Sequence, residues 1–429
     1  MAHPLLRRSS GLLNLFIVYV RISLMGKIEN DIDMWRREDV RKLALSITEF
    51  SADERMHILR QVGGWQKAIK KIPSLASERR LIYPSGLAME QCSSEQTAIY
   101  KSQVVGRLIS DIPEKERCLV DITGGFGVDF FYICPLFNYA LYIERDSELF
   151  KTTSENFKSL GLTHVETINN DSVAWLAEKN RDGLFSCFYV DPSRRSGSGE
   201  RAYLISDCEP DLTIILNEIL NRLDKRGVVI VKLSPMLDIS MAISSLTGVI
   251  EVHVVSVRNE CKELLLVIGL EKVDEIPYYA VNITPSRTDI VRFSSRSETQ
   301  FAPVVSGSIG TYLYEPNSSI MKMGAFNTLS AKLGIARLHT ESHLYSSDRL
   351  ISDFPGKIFK IERVFGFSKR ELRELSGFVK RANISVRNFP QTAEKLRLRL
   401  GLKDGGESHI HATTIDSSEK ILILSRLVK

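Results

Sequence analysis

Apolar residues recur at helical spacing from Asp39 to Phe50 and from Ala52 to Val62, which predicts a mostly helical N-terminal region over residues 26–110. Tyr83-Pro84-Ser85-Gly86 interrupts that spacing, and Ser93 or Ser94, followed by Glu95 and Gln96, then offers an N-cap to a helix running on through Lys101. From Arg117 the texture changes. Short apolar runs at Cys118–Ile122, Tyr139–Ile143, Val165–Ile168 and Phe185–Val190 alternate with helical stretches at Ser147–Leu160, Ser172–Lys179 and Asp211–Leu223, and a Val/Ile strand follows at Gly227–Leu233. Such alternation predicts an α/β unit with a parallel, doubly wound sheet over residues 111–271. Glu251–Val257 and Glu263–Gly269 are too close for a crossover helix and read as a hairpin, so one strand should run antiparallel.

After Glu271 the alternation stops. Short alternating strands are expected between Tyr278 and Phe293, with Pro285 and Ser286 as their turn, and 311–355 reads as irregular. Residues 272–355 are therefore taken as a connector with a small domain. From Gly356 the pattern resumes: strand Ile358–Phe365, helix Lys369–Lys380, strand Ile384–Asn388, helix Gln391–Leu400, then strands His409–Thr414 and Lys420–Leu424. That order predicts a compact α/β domain over 356–429.

With 429 residues, 43% hydrophobic and 25% charged, the chain has the composition of an ordinary globular protein of several domains. The apolar run Gly11–Val20 behind Arg7 and Arg8 is too short to cross a bilayer and lacks a small-residue cleavage site. Residues 1–25 read as an upstream extension, with the natural start at or near Met25 and no membrane partner, a peripheral membrane helix being the lesser alternative. The six cysteines form no Cys-x-x-Cys pair and sit away from the histidines, so reduced thiols, no metal and a cytoplasmic setting are expected. Net charge is +5, but residues 355–429 carry +8 and the remainder −3. A basic module of this kind suits a polyanionic partner such as nucleic acid, and equally a solvated charged surface.

The chemistry concentrates at strand ends. Asp121-Ile122-Thr123-Gly124-Gly125-Phe126-Gly127 closes the first strand of the α/β unit and opens a helix, and its glycines let the backbone approach a ligand that a Cβ would exclude. A glycine turn alone is weak evidence, because dinucleotide enzymes share it. Glu144 ends the second strand, where an acid can accept from ribose hydroxyls; Asp171 follows the third, within reach of an adenine amino group; Asp191 ends the fourth. Each acid alone is as well explained as a helix cap or surface charge. Their recurrence at successive strand ends, where open α/β sheets bind ligands, argues against coincidence.

These residues resemble class I methyltransferases, whose first motif reads acid-x-Gly-x-Gly-x-Gly. Asp121, Gly125 and Gly127 match, while Thr123 stands in place of the first glycine. The resemblance implies that S-adenosyl-L-methionine is the cofactor. It places the methionine part on Gly124–Gly127, its amino group near Asp121, the ribose on Glu144 and the adenine on Asp171. NAD is the alternative, but the Gly-x-Gly-x-x-Gly order is missing. Asp191-Pro192-Ser193-Arg194-Arg195 stands where methyltransferases of base amino groups carry acid/amide-Pro-Pro-aromatic. Asp191 and Pro192 match; Arg194 replaces the aromatic and can stack on a base or contact phosphate. Lys232, ending the fifth strand, and Asn259, Glu260 and Lys262, in the hairpin turn, rank below Asp191 as candidates.

A wider resemblance rests on Glu90-Gln91-Cys92-Ser93-Ser94-Glu95 with Thr97 to Lys101, on Tyr314-Glu315-Pro316-Asn317 and Phe354-Pro355-Gly356-Lys357, and on Arg387-Asn388-Phe389-Pro390 and Leu402 to Gly406. Together these resemble bacterial S-adenosylmethionine-dependent methyltransferases with a THUMP-like C-terminal domain, including Bacteroidetes members with a small ferredoxin-like domain. The implied fold is a Rossmann-like methyltransferase sheet (111–271) flanked by the N-terminal helical region and by C-terminal α+β domains, ferredoxin-like within 272–355 and THUMP-like over 356–429. The implied function is methylation of structured RNA, tRNA or rRNA, with Asp191, Pro192 and Arg194 on the acceptor side. Two other readings stay open: a protein or small-molecule substrate, and a non-catalytic RNA-binding protein.

Overall fold

The computed structural model describes residues 32–178, 184–194, 204–416 and 418–428. The expected extension at 1–25 and Arg195 lie outside them. The chain divides into two compact units, one holding the residues up to Val190 with Arg222–Gly227, the other Asp191–Asn221 and everything from Val228.

In the first unit, α1 (Val40–Ser46) is capped by Asp39, whose carboxylate accepts from the Arg41 and Lys42 amides. A Ser51/Glu54 capping box opens α2 (Ala52–Lys71). This helix runs nine residues past the expected end at Val62, because Gly64 has a packing role that offsets its poor propensity. A Cβ there would lie 2.3 Å from the Cβ of Tyr83. Gln61 completes the seam: its Nε2 donates to the Tyr83 carbonyl (3.0 Å) and its Oε1 accepts from the Tyr83 amide (2.8 Å). The interruption at Tyr83-Pro84 is thereby pinned to the helix it follows.

Four parallel strands come next, β1 (Cys118–Asp121), β2 (Tyr139–Glu144), β3 (Val165–Asn169) and β4 (Phe185–Val190), in the order β4-β1-β2-β3. All six residues of β4 are buried, as befits a strand covered on both faces. The register sets Asp121 beside Tyr142 and Tyr189, and Glu144 beside Asn169, so the acids and their neighbours collect at one end of the strands.

The second unit holds β5 (Leu223–Leu233, from Val228 onward), β6 (Val249–Val257), β7 (Glu260–Ile268), β8 (Pro277–Ile283) and β9 (Thr288–Ser294). The expected hairpin is β6–β7, and β7 is antiparallel to both β5 and β6. Strand β8 joins β6 in parallel and β9 closes on β8. The segment read as irregular is ordered. It contains β10 (Tyr312–Pro316), helices Ser318–Met323 and Phe326–Leu333, β11 (Ala336–Arg337) and β12 (Tyr345–Ser347). Its strands are two to five residues long, too short for alternation to register in sequence. They share a second sheet with β13 (Gly356–Gly366), β14 (Asn383–Arg387), β15 (Ser408–Thr414) and β16 (Lys420–Leu427), in the order β11-β12-β10-β13-β16-β15-β14. Helices Lys369–Phe378 and Ala393–Leu400 complete the expected C-terminal domain. No helix among the described residues is long and apolar enough to cross a membrane.

A buried ion pair ties the N-terminal helices of the first unit to its sheet. Ser94 caps α3 (Glu95–Leu108), which leaves Ser93 to donate to Asp129 Oδ2 (2.6 Å). Tyr189 on β4 donates to the same oxygen (2.6 Å), and Lys101 Nζ lies 3.0 Å from Asp129 Oδ1. Lys101 is wholly buried. Removing one partner of such a pair costs about 3–5 kcal/mol, because the other charge is stranded in the interior. Lys101→Met is therefore expected to lower unfolding free energy by roughly that amount, and Lys101→Met/Asp129→Leu to recover much of it. Urea denaturation reads both; an unchanged midpoint in the single variant would show that the pair carries no structural load.

Candidate active site

The glycine loop is held from below by aromatic packing. A Cβ on Gly124 would lie 2.4 Å from the Tyr142 ring and 2.8 Å from the Ile143 carbonyl; one on Gly127 would lie 2.6 Å from the Phe157 ring. Tyr142 and Phe157 meet edge to face, with centroids 5.2 Å apart. Gly125 (φ +61°) and Gly127 (φ +73°) occupy the left-handed region. Gly125 differs in one respect: a Cβ there meets nothing closer than 3.8 Å, so this stretch of backbone faces open space.

Hydrogen bonds fix the loop further. Thr153 Oγ1 (3.2 Å) and Tyr142 Oη both donate to the Gly125 carbonyl. Burial, then the nearby Glu144 carboxylate, push the Tyr142 phenol well above its usual range, which keeps it a donor. Glu144 Oε2 accepts from the Gly125 amide (2.7 Å) and Oε1 from the Asp146 amide (2.7 Å). Asp121 Oδ1 accepts from the Thr123 amide (2.8 Å) and hydroxyl (3.3 Å), which gives Thr123 a place in the turn where the motif has glycine. Asp171 caps the helix Ser172–Ala177, its Oδ1 accepting from the Val173 (2.9 Å) and Ala174 (3.2 Å) amides. The structure thus brings Asp121, Thr123, Gly124, Gly125, Gly127 and Glu144 into one bonded loop and gives Asp171 a capping role.

In the second unit, Asp191 is the first residue after β4 and Pro192 behind it is buried. Lys232 Nζ donates to Asp191 Oδ2; the Lys232 side chain is 13% exposed and that of Asp191 37%. Ser193–Arg194 forms a short antiparallel ladder with Cys208–Glu209. Among the described residues no group of three His, Cys, Asp or Glu side chains is placed to hold a metal ion.

Residues 312–355 match the ferredoxin-like domain family, and residues 356–426 match the THUMP domain-like family. The crystal structure of a "putative methyltransferase from Porphyromonas gingivalis W83" is 31% identical to this chain, covering 94% of it and 98% of the other, at a TM-score of 0.81. The chain belongs to this family of bacterial methyltransferases with ferredoxin-like and THUMP-like C-terminal domains. A "putative methyltransferase" from Escherichia coli is 14% identical, covers 40% of this chain and 87% of its own, and has a TM-score of 0.30. One from Streptococcus mutans, crystallised with SAH, is also 14% identical, covers 39% of this chain and 95% of its own, and has a TM-score of 0.29. At that level of similarity neither protein says what this chain does. No functionally curated protein matches the chain.

Other residues singled out in this methyltransferase-family sequence have structural partners. Asn259, in the hairpin turn, accepts from the Ser318 amide (2.7 Å) through Oδ1 and donates its own amide to Asn282 Oδ1 (2.9 Å); Lys262 pairs with Glu260 (2.6 Å). In the basic C-terminal domain, Arg387 pairs with Glu315 (3.2 Å), Arg397 with Asp404 (2.5 Å), and Arg399 lies over the Phe367 ring (4.7 Å). Lys395 and Lys403 are exposed. Sequence reading missed Tyr142, Thr153 and the Lys101–Asp129–Tyr189 group. Tyr142 left a trace, two residues before Glu144 and so on the same strand face, and Lys101 ends the quoted Thr97 to Lys101 segment, but nothing in that segment points to Asp129.

Gly124→Ala is expected to cost about 1–3 kcal/mol through overpacking against Tyr142. Combined with Tyr142→Leu it should cost less than the sum of the two single changes. Strictly additive unfolding energies would mean that the ring does not set the loop position.

Proposed function

We propose that this protein transfers a methyl group from S-adenosyl-L-methionine to structured RNA, tRNA or rRNA. The observation that carries the donor assignment is the Glu144–Gly125 hydrogen bond, which holds an acid against a glycine backbone open to a ligand. The cradle that Gly124 and Gly127 leave, too tight for a Cβ, fits a cofactor laid along the backbone. Each Glu144 oxygen accepts one amide and has a second lone pair for a ribose hydroxyl. Asp121 would face the methionine amino group and Asp171, through the oxygen not used in capping, the adenine. When bound, the donor supplies a methyl group on a positively charged sulfonium. The chain's task is then to orient donor and acceptor in line and keep water out, which requires neither a metal nor a strong base.

The RNA assignment is supported by the THUMP-like match over 356–426 and the +8 charge of residues 355–429. Because Arg387, Arg397 and Arg399 are engaged within the domain, Lys395 and Lys403 are the better phosphate contacts. Incorporation of labelled methyl into total RNA, set against total protein, from a strain lacking the gene separates this reading from a protein substrate. Stable RNA binding with no transfer would favour a non-catalytic protein.

Glu144→Ala should weaken donor binding by about 1.5–3 kcal/mol, the worth of a hydrogen bond to a charged group. Calorimetry with S-adenosylmethionine checks this, and equal affinity in the variant removes Glu144 from the site. Lys395→Glu/Lys403→Glu should weaken RNA binding and flatten its salt dependence, by about 0.7–0.9 in log–log slope for each phosphate no longer neutralised. Filter binding across a salt series reads that slope, and an unchanged one would exclude both lysines from the RNA-binding surface.

A further inference from the structure

We infer that the cleft between the turn 77–81 and the helix Ser147–Ser159 is a second RNA contact, one that takes a backbone phosphate on Arg79 and Arg80. The inference rests on the proposed RNA substrate and places one of its contacts in the first unit, which carries the glycine loop.

The backbone of the turn is fixed at both ends. The chain enters from the short helix Pro73–Ala76, where the Ser77 amide donates to the Pro73 carbonyl (3.1 Å) and the Glu78 amide to the Leu75 carbonyl (3.1 Å). The Leu81 amide then donates to the Glu78 carbonyl (3.2 Å), which puts Arg79 and Arg80 at the two corners of a β-turn. On the far side Ile82 is held by the buried Asn156 side chain, whose Oδ1 accepts from the Ile82 amide (2.8 Å) and whose Nδ2 donates to the Ile82 carbonyl (2.8 Å). Gln61 holds Tyr83 in the same manner.

The side chains are treated differently. Ser77, Glu78, Arg79 and Arg80 are exposed, and neither arginine has a hydrogen-bond or ion-pair partner for its side chain among the described residues. The carbonyl end of the helix Ser147–Ser159 would be a natural internal partner for a cation. Its Asn156, Phe157 and Lys158 carbonyls already accept from the Leu160 (2.9 Å), Leu162 (3.1 Å) and Gly161 (3.1 Å) amides. Two arginines are thus held in place by a rigid backbone while their donors stay available, which is the arrangement that lowers the cost of binding an external anion.

Turn and helix enclose a cleft of about 360 Å³, and six of its eight lining residues are polar: the four of the turn with Asn156 and Ser159 of the helix. Ligand sites span about 300–1,000 Å³, and this one, with so polar a lining, suits a charged group better than an apolar one. Arg79, Arg80 and Glu78 together carry one positive charge, which complements the single negative charge of a phosphodiester. The guanidinium fork matches two phosphate oxygens, and the Ser159 hydroxyl can donate to a third. The helix itself supplies the functional link. Thr153 and Phe157 hold the glycine loop, and Asn156 beside them holds the turn, so a phosphate in the cleft is fixed relative to that loop through one helix. Methyl transfer requires donor and acceptor to be held in line, which an RNA contact on this unit serves.

The test uses the full-length protein and labelled total RNA in filter binding across a salt series, with donor calorimetry and urea denaturation alongside. Arg79→Ala/Arg80→Ala should weaken RNA binding about tenfold or more, as loss of hydrogen bonds to a charged group does. The log–log salt slope should fall by about 0.7–0.9, the signature of one phosphate no longer neutralised. Donor affinity and the unfolding midpoint should stay as in the wild type, because both arginines are exposed and lie outside the glycine loop. Glu78→Gln should act in the opposite sense and tighten RNA binding. Wild-type RNA affinity in the double-arginine variant overturns the inference and leaves the RNA reading standing. So does weaker binding at an unchanged salt slope, which excludes a phosphate contact. Adenosine monophosphate that binds the wild type and not the variant, with RNA affinity unaltered, overturns it as well and assigns the cleft to a free nucleotide. Failure of the wild type to bind any RNA overturns both this inference and the RNA reading beneath it.

Discussion

The contact on which the glycine loop of the first unit depends is the one between two glycines and two aromatic rings. Gly124 lies against Tyr142 and Gly127 against Phe157 at distances that leave no space for a Cβ. The backbone of β1 is thereby drawn down onto β2 and α4 (Ser147–Ser159), the helix that carries Thr153 and Phe157. Once there, the Gly125 carbonyl meets the Tyr142 and Thr153 hydroxyls and its amide meets Glu144. Both backbone polar groups of Gly125 are thereby satisfied within the unit, while a Cβ on it would meet nothing closer than 3.8 Å. The constraint comes from packing, and the hydrogen bonds follow from it.

Sequence and structure agree where periodicity is long and diverge where it is short. Strands β1, β2 and β4 were legible because a strand buried on both faces is a continuous apolar run bounded by polar residues, whereas β3, only partly buried, was legible from its place in the alternation. The strand-end acids were legible for a related reason, since each interrupts apolar texture at a fixed place in the topology. Residues 312–355 were not, because a two-residue strand such as Ala336–Arg337 has no period. The end of α2 was missed because the apolar spacing was followed only to Val62, while the demand for space at Gly64 comes from Tyr83, nineteen residues on. The Lys101–Asp129 pair was hidden for the same cause: partners remote in sequence leave no local signature.

Charge counts were similarly informative only in part. The C-terminal excess is real, but net charge does not say which cations face outward. Arg387, Arg397 and Arg399 cluster in sequence around one helix, yet in space they are drawn to Glu315, Asp404 and Phe367. The Arg387–Glu315 pair links β14 to β10, so an arginine of the basic domain joins two segments of the second sheet.

The four strand-end acids show how one residue type is divided among roles by its partners. Asp121, Glu144 and Asp171 all accept from backbone amides. A carboxylate accepts strongly from such a donor, so these contacts fix where the three acids sit. Asp191 instead accepts from the Lys232 ammonium. The division follows the order of the strands. The acids after β1, β2 and β3 hold backbone amides of their own unit, and the acid after β4 is bonded to a lysine side chain.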